Sequence, residues 1–194
     1  MNLPNKLTFL RILLIPVMVV IALIPYLNET KVILNISLAN FINVIIFTIA
    51  SITDALDGML ARKYNLITTF GKFADPLADK LLVMAAMVIL MVQGVQAEVS
   101  IFPMWAAIVI LGREFIVTGI RLVAVENGKV IAASNLGKLK TIATMVALIV
   151  LFFWETHIAV QYTGLVLVYI ATFFTVISGF DYFFKNRKII LESV

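Results

Sequence analysis

The sequence predicts an all-α integral membrane protein with six transmembrane helices and a short N-terminal interfacial helix. Three observations predict it. Hydrophobic residues make up 62% of the 194 positions, and the mean hydropathy is +1.09, far above a soluble domain. Six apolar stretches, at roughly 10–27, 36–60, 73–93, 101–124, 131–154 and 160–184, each approach the roughly 20 residues that cross a hydrocarbon core. Basic residues fall on one side of such a chain. With six spans both termini share a side, and every lysine and arginine except Lys31 then lies in or near it. That is a positive-inside pattern, and it predicts cytoplasmic termini.

Hydrocarbon offers no partner for open strand edges, so the spans are helices. They follow one another so closely that positions 1–194 read as a single membrane domain without a linker. Lys6 and Arg11 precede the first apolar run as in a signal peptide. Tyr26-Leu27-Asn28-Glu29 follows it where small residues would mark cleavage, so the run reads as a retained helix. Tyr26, Trp105, Trp154 and Tyr162 fall where the outer interface is expected. The absence of cysteine excludes disulfides and thiolate metal sites. The sequence pI of about 9.4 therefore speaks for topology and anionic lipid, not for nucleic acid.

Four of the eleven acids crowd between Asp54 and Asp79, at the end of the second span and the start of the third. An unpaired charge there is costly, so the concentration asks for a ligand. Asp54 and Asp57 are three apart and Asp75 and Asp79 four apart, so each pair shares a helix face. An antiparallel pair of helices can bring all four carboxylates together, and hard oxygen donors in that number suit Mg²⁺ or Mn²⁺. Gly58, Ala61 and Gly71 remove side-chain bulk beside them, letting a ligand or a second backbone approach.

Together these residues spell D-x2-D-G-x2-A-R-x8-G-x3-D-x3-D, from Asp54 through Asp57, Gly58, Ala61, Arg62, Gly71 and Asp75 to Asp79. The pattern resembles the signature of the CDP-alcohol phosphatidyltransferase family at all eight defining positions. The resemblance implies a six-helix membrane enzyme, usually a homodimer, with its active site open to the cytoplasm. It implies transfer of a substituted phosphoryl group from a CDP-linked donor to an alcohol, with release of CMP. It also implies that Asp54, Asp57 and Asp75 hold metal, and that Asp79 completes the site and acts as general base.

The chemistry is consistent with those roles. Two cations can neutralise a diphosphate before a nucleophile approaches, and phosphoryl transfer otherwise needs positioning and electrostatic stabilisation. Gly58 and Gly71 leave room for cytidine or ribose. Arg62 reads equally as a contact to the donor diphosphate or as a positive-inside anchor. Asn5, Thr8 and Arg11 read either as a cover over the nucleotide or as a cap and anchor.

A second polar set bears on the acceptor. Arg113 and Arg121 lie eight apart in the fourth span, about two turns, and share a face. Deep arginines in a membrane need an anionic partner. Glu114, adjacent to Arg113, is expected to point elsewhere. Lys138 and Lys140 open the fifth span, and Lys138 is counted with the phosphate-binding set ahead of Lys140. A basic pocket of this kind suits an acceptor that itself carries phosphate. The runs Gly112-Arg113-Glu114-Phe115-Ile116-Val117-Thr118-Gly119-Ile120-Arg121 and Gly137-Lys138-Leu139-Lys140-Thr141 resemble the branch of the family that uses sn-glycerol 3-phosphate. The resemblance implies CDP-diacylglycerol as donor and phosphatidylglycerophosphate as product. Within the family the rivals are cardiolipin, phosphatidylserine and phosphoinositide synthesis. Outside it the rival is a divalent-cation transporter, since intramembrane acids also mark ion pathways.

Overall fold

The computed structural model describes residues 3–63, 69–126 and 135–192, apart from the side chains of 3–4, 55–63, 69–70, 72–73, 122–123, 125–126 and 188–192. Among these residues the fold is helical apart from connecting turns and one isolated antiparallel bridge between Lys31 and Ser37. Six long helices carry it: α1 (Leu3–Leu23), α3 (Leu38–Lys63), α4 (Thr69–Gln96), α5 (Met104–Glu126), α6 (Asn135–Leu151) and α7 (Ile158–Glu192). A short α2 (Pro25–Glu29) and a 3-10 turn at Ile33–Asn35 join α1 to α3. Asn5–Leu23, Ala74–Gln96 and Ile158–Arg187 are long and apolar enough by composition alone to cross a membrane, and the Leu38–Asp54 part of α3 is apolar as well. α5 carries three charged residues, Arg113, Glu114 and Arg121, within its apolar length, and α6 is 17 residues long; several of their polar residues build the site described below.

The interfacial helix expected at the N-terminus is not separate. α1 runs unbroken from Leu3 to Leu23. After Pro4 in its first turn no glycine or proline precedes Pro16, and Thr8 and Arg11 on its second and third turns are buried and anchored to neighbouring helices.

The helices form two groups. α1 packs against α3 and α4, while α7 packs against α5 and α6. The groups meet where α4 touches α5 and α6, and where α3 touches α6. Phe47, Leu82, Met87, Leu90, Ile110, Leu148 and Phe152 fill the shared core, with the rings of Phe47 and Phe152 tilted at a centroid distance of 6.2 Å. Small residues such as Ala50, Ala78, Ala86, Ala106 and Ala147 are also buried, which lets membrane helices approach closely. Large apolar side chains point outward along whole helices, among them Leu13 and Val20 of α1, Ile108 and Ile116 of α5, and Phe173 and Phe180 of α7. A soluble protein rarely shows so continuous an apolar exterior. Here it is the lipid-facing surface.

The two ends of the bundle differ. At one end Lys31 Nζ pairs with Glu155 at 2.9 Å, and Glu155 also accepts the Ser37 backbone N–H at 2.5 Å. Trp105 stacks on Tyr169 nearby, at the start of α5. Gln93 donates to Asn40 at 2.8 Å and fastens α4 to α3 in the same half. The sequence-predicted carboxylates and most of the cations gather toward the other end.

Gly94, near the end of α4, lets the chain that leaves the helix fold back closely against it. A Cβ there would lie 2.7 Å from the Val99 carbonyl oxygen and 3.2 Å from the Ile101 nitrogen, both backbone atoms that cannot swing aside. Gly94→Ala is therefore expected to cost about 1–3 kcal/mol, as overpacking does. It should lower the unfolding temperature in detergent with little effect on the distant polar end. An unchanged unfolding temperature would contradict this packing.

Candidate active site

One face of α1 ties the two acidic helices together. Arg11 Nη1 donates to Asp54 Oδ1 of α3 at 2.5 Å, and Thr8 Oγ1 donates to Asp75 Oδ1 of α4 at 2.6 Å. Thr8 and Arg11 are three residues apart and so emerge side by side. Both are 1% exposed. They therefore hold carboxylates from two different helices at neighbouring points. Asn5 lies one turn before Thr8 on the same helix.

Asp79 sits one turn beyond Asp75 on α4, with Pro76 between them. Proline has no N–H to give and loosens the helix ladder at that point. The Pro76 carbonyl accepts the Lys80 ammonium at 2.9 Å. Gly71 is buried one turn before Asp75. Asp79 opens onto a small cleft at the seam between the two helix groups. Lys80 and Val83 of α4, Ile110, Leu111 and Glu114 of α5, and Lys140, Thr141 and Thr144 of α6 complete its lining.

A second set of charges meets at this seam. Glu114 Oε1 accepts Arg113 Nη1 at 3.1 Å and also accepts Lys140 Nζ from α6. Lys140 is 4% exposed, whereas Lys138 is exposed. Arg121 lies two turns beyond Arg113, with its guanidinium 5.6 Å from the centroid of the Tyr182 ring of α7. The Nε atoms of Arg113 and Arg121 are buried without a hydrogen-bond partner. An apolar cavity of about 520 Å³ opens between α5 and α7, lined by Arg113, Ile116, Ile120, Gly179, Phe180 and Tyr182 among others.

The structure thus brings together Asp54 and Asp75 through α1, and Asp79, Glu114 and Lys140 at the seam. Among the described residues no three acidic side chains close into one metal-holding group. The predicted site side chains of Asp57, Gly58, Ala61 and Arg62 lie outside the described residues. Glu114 corrects the expectation that it points away from Arg113: adjacent residues diverge at Cβ, but two long side chains bend back and meet. Lys140, ranked behind Lys138 in the sequence reading, is the buried lysine of α6. Its register explains this, because Lys140, Thr144, Ala147 and Leu151 follow one helical face and are all buried. Two residues away, Lys138 lies nearly opposite.

A family model described as CDP-alcohol phosphatidyltransferase matches residues 1–177. The chain belongs to that family. The match takes in all eight signature positions together with the Arg113, Glu114 and Lys140 constellation. Curated relatives extend over nearly the whole chain. A Bacillus subtilis (strain 168) protein named CDP-diacylglycerol–glycerol-3-phosphate 3-phosphatidyltransferase is 46% identical, covering 99% of this chain and 98% of its own length. Proteins of the same name from Rickettsia typhi and Salmonella choleraesuis are 40% and 37% identical, each over at least 94% of both chains. The family assignment makes the chain a membrane-embedded phosphatidyltransferase.

Proposed function

We propose that the protein transfers the phosphatidyl group of CDP-diacylglycerol to sn-glycerol 3-phosphate, giving phosphatidylglycerophosphate and CMP. One observation carries this reading: Asp79 shares a cleft with Lys140, whose ammonium shares a carboxylate with Arg113. A base for a hydroxyl thus lies beside cations suited to a phosphate. The names of the full-length relatives support the same donor and acceptor.

The donor set fits a hard divalent cation. Asp54 and Asp75 are carboxylates on two helices, drawn to one face of α1 by Arg11 and Thr8, and oxygen-only donors suit Mg²⁺ or Mn²⁺. Asp54, Asp57, Asp75 and Asp79 would hold the metal, as two ions. Bound there, the metal would supply charge neutralisation of the donor diphosphate.

The residues of the chain do the rest. Gly58, Ala61 and Gly71 leave space for the nucleotide, with Asn5 and Arg62 as further donor contacts. Arg113 and Arg121 hold the acceptor phosphate, each able to donate to phosphate oxygens; Lys138, counted with them from the sequence, is exposed on the side of α6 away from Lys140. Asp79 takes the proton of the acceptor 1-hydroxyl as that oxygen attacks the phosphorus bearing the diacylglycerol oxygen. The bond from this phosphorus to the diphosphate bridging oxygen breaks, and CMP leaves. The acyl chains stay in lipid. Six spans with both termini in the cytoplasm open the site to the inner face of the cell membrane, and the working unit is a homodimer.

The test is CMP release by purified protein with CDP-diacylglycerol and Mg²⁺. The acceptors are glycerol 3-phosphate, glycerol, serine, inositol and phosphatidylglycerol, each with and without a chelator. Release with glycerol 3-phosphate alone, abolished by the chelator and restored by Mg²⁺ or Mn²⁺, is the expected outcome. Release with a different acceptor would overturn the acceptor assignment. A folded protein that releases CMP with none of them would favour divalent-cation transport.

A further inference from the structure

Glu114 is neither one of the signature acids nor one of the cations of the acceptor set, yet it joins two helices. Its Oε1 accepts Arg113 Nη1 of its own helix, at 3.1 Å, and Lys140 Nζ of α6. Among the described residues α5 and α6 have no direct backbone packing, since both lean on α7. The Glu114 carboxylate is therefore a direct link between a cation of α5 and a cation of α6. The arginine stem is steered as well. A Cβ on Gly179 of α7 would come within 3.3 Å of Arg113 Cγ, so the glycine leaves the stem its path.

Charge makes the link consequential. Arg113 and Lys140 are both largely buried, and without the carboxylate two like charges would repel at close range in a weakly screened setting. With it, the three side chains carry one net positive charge. Each cation also has N–H groups to spare, because arginine has five and lysine three. Those remaining donors leave both cations able to bind an oxyanion while Glu114 holds them.

We propose that Glu114 is a positioning residue that holds Arg113 and Lys140 as one anion-binding pair for the acceptor phosphate, without itself touching substrate. The proposal rests on the acceptor reading above. It adds Lys140 to the phosphate-binding set and gives Glu114 a role of its own.

The test uses full-length protein in detergent, with Glu114→Gln, Glu114→Asp, Lys140→Gln and the Glu114→Gln/Lys140→Gln double variant. Glu114→Gln is expected to raise KM for glycerol 3-phosphate about 10-fold, the scale of a charge-assisted hydrogen bond lost. KM for CDP-diacylglycerol should stay within about 2-fold. In parallel, inorganic phosphate should raise the unfolding temperature of the unmodified protein and do so less in Glu114→Gln. The double variant should be no worse than Lys140→Gln alone, because the two residues act as a unit. Equal rises in both KM values, or single effects that simply multiply, would mean a general structural role and overturn the proposal. If Glu114→Gln does not fold, the same phosphate shift read in Glu114→Asp decides: a full shift overturns the proposal and a reduced one supports it. If the unmodified protein ignores glycerol 3-phosphate but phosphate still stabilises it in a Glu114-dependent way, the acceptor reading fails and the positioning role stands. If phosphate stabilises nothing and KM for glycerol 3-phosphate is unchanged in Glu114→Gln, the positioning role fails.

Discussion

Asp79→Asn is expected to reduce CMP release by about 10²–10⁴-fold, the usual contribution of a positioned general base. Asparagine keeps the size of the side chain but cannot take a proton from the acceptor hydroxyl. Asp79 lies a turn away from the Thr8–Asp75 contact, and Thr8 and Arg11 donate to Asp75 and Asp54. The tie between α1 and the acidic helices should therefore survive, and the unfolding temperature should stay close to that of the unmodified protein. Two readings separate base chemistry from misfolding: single-turnover CMP release at saturating donor and acceptor, and the thermal midpoint on the same preparation. A loss smaller than about tenfold in folded protein would remove Asp79 from the role of base. A fall in the thermal midpoint as large as the fall in turnover is severe would instead make it a structural acid. Lys140 lines the same cleft, so Lys140→Gln offers a contrast. It should weaken acceptor binding more than it slows the step at saturation.

Much of this arrangement was legible in the residues. Apolar lengths predicted the long helices, and the spacing of Asp54, Asp75 and Asp79 predicted that they would share one end of the bundle. What the spacing could not reveal was who holds them. Arg11 read as a surface anchor or a nucleotide cover, since a cation near a membrane boundary usually snorkels. The signal that it is buried lay in its register. Thr8, Arg11 and Met18 follow one face of α1, and all three are buried. Glu114 departs from its sequence reading for a different reason: adjacent Cβ directions diverge, but long side chains have the reach to bend back. Lys138 and Lys140 differ only in register, and the alternation of burial along α6 distinguishes them. Pairing across helices far apart in sequence, such as Arg11 with Asp54, depends on tertiary packing that one helix at a time cannot encode.

Arg11 carries the largest expected effect on stability. Its guanidinium is fully buried, and its partner Asp54 is 29% exposed on the side chain. Removing one member of a buried ion pair leaves the other charge uncompensated, at a typical cost of about 3–5 kcal/mol. The partial exposure of Asp54 lets water recover some of that, which puts Arg11→Met near the lower figure, about 3 kcal/mol. Methionine fills much of the volume, so the loss reads charge and hydrogen bonding rather than a cavity. Thr8→Val, which removes a hydroxyl donor to the Asp75 carboxylate at 2.6 Å, should cost less, about 2 kcal/mol. The order matters more than either value: Arg11→Met must destabilise more than Thr8→Val in equilibrium unfolding. Asp54→Asn in the Arg11→Met background should cost less than in the unmodified protein, because the two residues share one interaction. Strict additivity of the two substitutions would show that Arg11 does not hold Asp54 in the membrane-embedded protein. The α1 face would then lose its place as the element that brings the acids of α3 and α4 together.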